Sequence, residues 1–520
     1  MYTDGKIYMG LADGERVYMQ LNMSNRHGLI AGASGTGKTI TMKTMAESFS
    51  DAGVPVFMCD VKGDVSGLAE PGAASESMEK RIDKFGIRDC FDYKAYPVCF
   101  WDIYQEGGHP VRATISDMGP DILSRILGLT PAQEGVLNII FKIADDRGLL
   151  LIDMKDLRTT INYVAEHKDD YTLTYGNMST QSLGGILRAL LPLENQGGDL
   201  FFGEPALDID DWIRTDVYGK GMINILNCVK LVQNPTLYAS FLLWMMAELF
   251  EKLPEAGDLE KPKLVFFFDE AHMLFSGAPK VLVQKIEQVV KLVRSKGVGI
   301  YFVTQSPSDI PDSVLAQLSN RVQHALRAYT PSEQKAVKVA AQSFRANPSF
   351  KTEDVIMELG VGEALTSFLD EAGVPTMAQK TSIICPQSLM GPVNEAVRSS
   401  LMTRDGMSKY DQAYDANSAY EVLTGQMKQE AEAERLEAER LQLEKDKAAY
   451  EARKAREEAA ALKQQEKLKE DALKKKEKEA AAAQKKKEQA AERRKNQIER
   501  QLINTGMQAL KRGLFKTLFK

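Results

Sequence analysis

No apolar run in the 520-residue chain approaches the ~18 residues that a membrane-spanning helix needs. Nor does the N-terminus, MYTDGKIYMGLADG, show the basic stretch followed by an apolar one that marks a secretory leader. The reading is therefore a cytoplasmic protein with no integral membrane segment. The five cysteines, Cys59, Cys90, Cys99, Cys228 and Cys385, form no CxxC pair and have no histidines clustered with them, which argues against a zinc site or a disulfide framework and for a reducing compartment. Uniform basicity is lacking too. The net charge is −6, yet Lys474 to Lys520 holds fifteen Lys and Arg against five Asp and Glu, a local +10 that leaves −16 for everything before it. A surface basic throughout would point to nucleic acid directly; a basic end on an acidic body points to a localised contact with an anionic partner or with the body itself.

Glycine and proline are absent from the 80 residues 426–505, which are dominated by Ala, Glu, Lys, Gln and Arg. Such a stretch is a long charged helix or a disordered arm. Opposite charges at i and i+3, as in Glu432 with Arg435, Glu437 with Arg440 and Glu451 with Lys454, support a solvated helix, roughly 120 Å long if continuous at ~1.5 Å per residue. Leucines are too sparse for a sustained coiled-coil seam, so a spacer is favoured over a coiled coil. Beyond it, Ile503, Met507, Leu510, Leu514 and Leu518 share one helical face, with Arg512, Lys516 and Lys520 opposite. That basic amphipathic end suits docking on a partner, a membrane surface or the chain's own body.

What is present begins with 44% hydrophobic residues, enough for a substantial core. Apolar GLIA, a glycine loop, a helical stretch from Lys38 and the run VPVFMCD make a βαβ unit, hence an α/β domain with a mainly parallel sheet. Strand signals return at KLVFFFDEAH, VGIYFVTQ, NRVQHALRA and EALTSFLDEAGVPTMAQK. About 200 mostly helical residues separate the two sets, too many for a connection, so they form an insertion. The expected organisation is residues 1–60 as N-terminal strands and the first half of the core, 61–263 as a mainly helical insertion, 264–411 as the second half of the core, 412–505 as the charged arm, and 506–520 as the basic end.

Residues 32–39, GASGTGKT, have the spacing of a phosphate-binding loop. Gly32, Gly35 and Gly37 let the backbone turn its amides inward, together with Ala33, Ser34 and Thr36, and the helix that follows adds its positive end. Lys38 would neutralise the β and γ phosphates of ATP, and Thr39 would place its hydroxyl on Mg²⁺. In LVFFFDEAH the buried strand delivers Asp269 at its carboxyl end, where Asp269 would hold Mg²⁺ and Glu270 would orient and deprotonate water. Gln305, at the end of the next strand, is suited to sensing the γ-phosphate or placing water. An arginine for the transition state, often supplied by a neighbouring subunit, would come from Arg294, Arg321 or Arg327, of which Arg321 is carried forward as a catalytic candidate.

GASGTGKT, DVKGD, FFFDEAH, VTQSPSDIP and NRVQHALRAYTP, in that order, resemble the HerA/FtsK group of RecA-like P-loop ATPases, and within it a bacterial family of HerA-like helicase C-terminal domain proteins. The resemblance runs from about Asn25 to Asp411, includes ADDRGLLLIDMKDLR and GKGMINIL, and reappears in the final RGLFKTLFK. It implies a ring-forming ATPase, hexameric as a homo-oligomer, with ATP and Mg²⁺ between subunits and DNA as the possible substrate in the pore. Arg188, Lys338 and Arg345 are candidates to face that pore. Asp60 and Lys62 of DVKGD match a family motif whose role the sequence does not yield. Two features depart from the better-known members. Only 31 residues precede Gly32, room for the strands KIYMG and RVYMQ but not for the β-barrel of HerA, and neither the membrane spans nor the winged helix of FtsK is evident. The function expected is an ATP-hydrolysing nucleic-acid translocase or helicase-like motor, with the alternative of an ATPase that moves or remodels a protein partner engaged through the arm.

Overall fold

The computed structural model describes residues 1–257, 259–275 and 280–489, and the chain divides into two compact units, Met1–Met427 and Lys428–Lys520. One twelve-stranded sheet organises the first unit. Its strands are β1 (Tyr2–Thr3), β2 (Lys6–Ala12), β3 (Glu15–Gln20), β4 (Gly28–Ala31), β5 (Val56–Asp60), β6 (Val98–Trp101), β7 (Ile223–Asn227), β8 (Leu264–Phe268), β9 (Val298–Thr304), β10 (Asn320–His324), β11 (Glu363–Ser367) and β12 (Gln379–Ile383). The spatial order is β1-β2-β12-β11-β10-β4-β9-β8-β5-β7-β6, with β3 on β2. From β10 to β6 all neighbours run parallel, whereas β11, β12, β2 and β3 extend the sheet antiparallel.

Parallel strands are covered on both faces, and the sequence of β8, LVFFF, is apolar at every position for that reason. Because side chains alternate, Val265 and Phe267 join one core with Met42, Met45 and Phe49 of helix α1 (Lys38–Asp51). Leu264, Phe266 and Phe268 join the opposite core with the helices Pro235–Lys252 and Lys280–Val293. Each fully buried large apolar side chain contributes roughly 1.5–3 kcal/mol to this arrangement. His27, at φ 54 just before β4, is buried and locked in one tautomer. Its Nδ1 accepts from the Ile300 amide at 3.0 Å, so its Nε2 donates to the Val290 carbonyl at 2.7 Å. Burial lowers its pKa to about 4, leaving a neutral structural histidine.

Within 61–263 the helices Ile115–Ile126, Pro131–Asp146 and Met154–Glu166 open with reciprocal capping boxes at Thr114, Thr130 and Asp153. The same stretch supplies β6 and β7, four and five residues long, to the far edge of the parallel sheet. The segment after β12 is tied to α1 by the buried Glu47, whose carboxylate accepts from the Gln387 and Ser388 amides, each at 3.0 Å. The helix Ala419–Gln489 starts inside the first unit: Ala419 and Leu423 are fully buried, and the Asp156 carboxylate accepts from the Tyr420 amide at 2.8 Å.

In the second unit residues 428–489 continue that helix. Arg435 and Arg440 pair forward at i+4 with Glu439 and Glu444, at 3.9 and 3.8 Å, in place of the i−3 partners expected from sequence. Four residues span slightly more than one turn, so either spacing brings side chains to one face. The basic amphipathic end and the rest of 490–520 lie outside the described residues. Among the described residues no helix is long and apolar enough to cross a membrane.

Candidate nucleotide site

Strand β4 ends at Ala31, and the chain then turns through Gly32–Gly37 into α1. Gly32, Gly35 and Gly37 have φ of 152, 75 and 116°, so the loop uses backbone conformations that side chains rarely adopt. The loop is anchored from below: the Gly32 amide donates to the Thr304 carbonyl of β9 at 3.2 Å, and the Ala33 amide to the Ala325 carbonyl at 2.9 Å. Thr36 closes it internally, Oγ1 donating to the Ala33 carbonyl at 2.7 Å, while Ser34 and Gly35 form its exposed crest. Lys38, almost fully buried, reaches back under the loop and donates to the carbonyls of Gly32 at 2.6 Å and Ala33 at 3.1 Å. Its pKa is lowered, first by burial and then against the pull of Glu270, whose charge raises it. Thr39 follows at the start of α1, partly exposed.

A histidine that the sequence did not single out supports this loop. His324, buried at the end of β10, donates from Nδ1 to the Glu363 carbonyl at 2.9 Å and accepts at Nε2 from Thr41 Oγ1 of α1 at 2.9 Å. Burial lowers its pKa to about 4, consistent with this neutral tautomer. A Cβ on Gly32 would fall 2.5 Å from that of His324, which is why glycine is needed there. Strand β10 reads NRVQH, polar at four of its five positions, so one more polar residue carried no signal in the sequence.

Two strands from β4, β8 delivers Asp269 and Glu270, both about 95% buried. Burial raises the Asp269 carboxyl to about 6, only partly offset by the Lys62 charge. Glu270 has φ 47, a left-handed conformation that a non-glycine residue adopts only when its surroundings impose it, and such strain, of order 1–3 kcal/mol, gathers at functional sites. The turn is stitched by the Glu270 amide donating to Asp269 Oδ1 at 2.9 Å and the Ala271 amide donating to the Val303 carbonyl at 2.8 Å. Around the Glu270 carboxylate stand Lys62 Nζ at 2.6 Å from Oε1, and His272 Nδ1 at 3.3 Å and Gln305 Nε2 at 3.5 Å from Oε2. Burial alone would raise this carboxyl, but the Lys62 ammonium outweighs it and leaves it lowered.

The structure thus brings together the glycine loop, Lys38, Asp269, Glu270 and Gln305 at the carboxyl ends of three adjacent strands, β4, β9 and β8, where open parallel sheets place ligands. It adds Lys62, with Asp60 beneath it. Asp60 accepts from the Gly63 amide at 2.7 Å, and burial, then Asp64, raises it to about 6. Arg321 is placed otherwise. Its guanidinium donates to the Leu318 and Leu315 carbonyls at 3.0 and 3.1 Å, closing the short helix Asp312–Leu315. Arg327 likewise caps the helix Thr352–Glu358, bonding the Met357 and Leu359 carbonyls. Arg188, on the helix Thr180–Asn195, Lys338, on the helix Pro331–Gln342, and Arg345, in the loop after that helix, are all exposed. Among the described residues no group of three or more His, Cys, Asp or Glu is placed to hold a metal. A Mg²⁺ ion of the kind carried in on phosphates takes few protein ligands and keeps several waters, and the Thr39 hydroxyl and the Asp269 carboxylate are the groups whose chemistry would suit it.

The sequence matches the Helicase HerA-like C-terminal family over residues 8–520. The DNA double-strand break repair helicase HerA of Sulfolobus acidocaldarius is 29% identical over 171 residues, 32% of this chain and 33% of that protein, so the alignment spans about a third of that relative's length. Among solved structures, the bacterial conjugative coupling protein TrwBdeltaN70 in its unbound form superposes with a TM-score of 0.50 at 13% identity, over 74% of this chain and 90% of that one. The plasmid coupling protein TrwB in complex with the GTP analogue GDPNP does so with a TM-score of 0.50 at 13% identity, over 72% and 89%. At such identity the likeness is one of fold. The chain belongs to the Helicase HerA-like C-terminal family and has the RecA-like P-loop ATPase fold.

Proposed function

We propose that the protein is an ATP-hydrolysing motor that assembles as a ring and moves nucleic acid. The observation that carries the ATPase part is the meeting of Lys38 under the glycine loop with a buried Asp269–Glu270 pair at the end of β8, two strands away. In this reading the loop amides and Lys38 cradle the phosphates, and Thr39 and Asp269 hold the Mg²⁺ that neutralises charge on the phosphate oxygens. Glu270 takes a proton from the attacking water, and Gln305 fixes that water or senses the γ-phosphate. A trans-acting arginine completes the site in a hexamer; Arg321 serves only if its bonds to Leu315 and Leu318 are released on assembly. Membership of the HerA-like family supports DNA as the substrate.

The alternative, movement of a protein, is favoured by one observation: residues 428–473 form an exposed helix of mixed charge. Steady-state ATP hydrolysis with and without single- and double-stranded DNA, at more than one salt concentration, separates the two. Salt-sensitive stimulation is expected for the DNA motor. Robust turnover indifferent to DNA transfers the reading to a protein substrate, with the arm as bait for it.

A further inference from the structure

Strands β5 and β8 are parallel neighbours with Cys59 level with Phe268, so the residues leaving them, Asp60–Val61–Lys62 and Asp269–Glu270, emerge side by side. The consequence is the contact of 2.6 Å between Lys62 Nζ and Glu270 Oε1. The two partners are unequal. The glutamate side chain is 6% exposed and strained into its position, whereas the lysine side chain is 45% exposed, on a flexible four-carbon stem. Its loop is fixed at the base by the Gly63 amide on Asp60, so the ammonium can turn without the backbone moving. Lys62 also lies close enough to Lys38 and Asp269 to influence the charge of both. It therefore borders the volume that the terminal phosphate would enter.

A carboxylate whose oxygen is held at 2.6 Å by an ammonium is not free to receive a proton from water. A γ-phosphate arriving beside Lys38 brings more negative charge than one carboxylate, and more acceptor oxygens. We propose that Lys62 is a nucleotide-gated positioning residue: it clamps Glu270 in the absence of a γ-phosphate, and passes to the γ-phosphate of a bound nucleoside triphosphate, releasing Glu270 to the attacking water. The inference rests on the reading of Lys38, Asp269 and Glu270 as the ATP site. It gives the DVKGD loop a role, and it makes the diphosphate state a resting state with its base held.

The test uses the full chain and the variants Lys62→Met, Lys62→Arg and Lys38→Ala, with calorimetric binding of ADP and of a non-hydrolysable ATP analogue in Mg²⁺, and steady-state kinetics. Loss of one charge-assisted bond to the γ-phosphate predicts that Lys62→Met weakens the ATP analogue about tenfold or more. ADP binding is expected to stay within about twofold, because the lost bond is made only to a γ-phosphate. The KM for ATP rises accordingly, ADP inhibition is unchanged, and Lys62→Arg recovers most of the preference for triphosphate. Equal weakening of both nucleotides, or of neither, by a folded Lys62→Met protein overturns the switch. Lys38→Ala keeps the two failures apart: if it still binds nucleotide normally, the site reading itself falls; if it binds neither nucleotide while Lys62→Met keeps the normal ratio, only the switch falls.

Discussion

His109 is the most exposed to test among the charged groups that hold the first unit together. Its ring is fully buried, yet Nε2 lies 3.0 Å from Asp405 and Nδ1 lies 2.6 Å from Asp411. Both ring nitrogens face carboxylates, so both carry protons and the ring is an imidazolium. Burial alone would lower its pKa; the bonds to Asp405 and Asp411 outweigh it and raise it above 6.5. The Asp405 side chain is 5% exposed and that of Asp411 46% exposed, so the two halves differ in worth. Stranding the buried Asp405 charge costs about 3–5 kcal/mol. The solvated Asp411 contact adds about 1 kcal/mol at most. His109→Ala is thus expected to lose about 3–5 kcal/mol in urea unfolding. The sign with pH follows from the raised pKa: the contribution is complete below pH 6.5 and fades as pH rises through the folded value. Trp101 sits with its ring centroid 6.0 Å from that of His109, so tryptophan fluorescence reports the event directly. Unfolding the wild type and His109→Gln at about pH 6 and about pH 9 is the assay. A variant with the same pH dependence as the wild type, or a loss below about 1 kcal/mol in His109→Ala, would refute the reasoning.

Other perturbations have equally definite outcomes. Lys38→Ala should abolish nucleotide binding by calorimetry, since its ammonium lies directly under the loop; retained affinity would remove it from the site. Gly32→Ala should destabilise the fold by about 1–3 kcal/mol, because the new Cβ meets a His324 that Thr41 and Glu363 hold in place. Gly35→Ala, at φ 75 but facing open space, should cost only about 1–2 kcal/mol of backbone strain, so the reverse ranking in unfolding experiments would contradict the loop geometry. Removal of the arm should begin after Met427, since Leu423 is buried and Arg147 Nη2 donates to Gln426 Oε1 at 2.6 Å. That truncation is expected to keep basal ATP hydrolysis while changing assembly or partner binding, measured by light scattering and pull-down. Unchanged assembly and binding would show the arm dispensable for both.

The nucleotide site was legible where chemistry and sequence are adjacent. GASGTGKT and FFFDE each carry a loop or strand together with the residues it delivers, and Gln305 ends the one strand, β9, that runs between them. The strands β6 and β7 were not marked out in the sequence reading. VCFW and INILN are short apolar runs among helical ones, and each becomes a strand only by pairing with partners far away in sequence, as Phe57 does with Asn224. Lys62 was marked by the DVKGD motif, but its role was hidden for the same reason: its contact with Glu270 depends on the register of β5 against β8, across about 200 residues of chain. His324 escaped because a buried neutral histidine leaves the same trace in a sequence as a surface one. In the arm the absence of Gly and Pro made the helix legible, while its ion-pair spacing was settled by side-chain direction.

The central claim is that one chain binds ATP with its glycine loop and hydrolyses it with Glu270. Glu270→Gln tests it most directly, with ATP binding and single-turnover hydrolysis measured on the same preparation. The account predicts binding within a few-fold of wild type and hydrolysis slowed by on the order of 10²–10⁴. Near-normal turnover in that variant would contradict it.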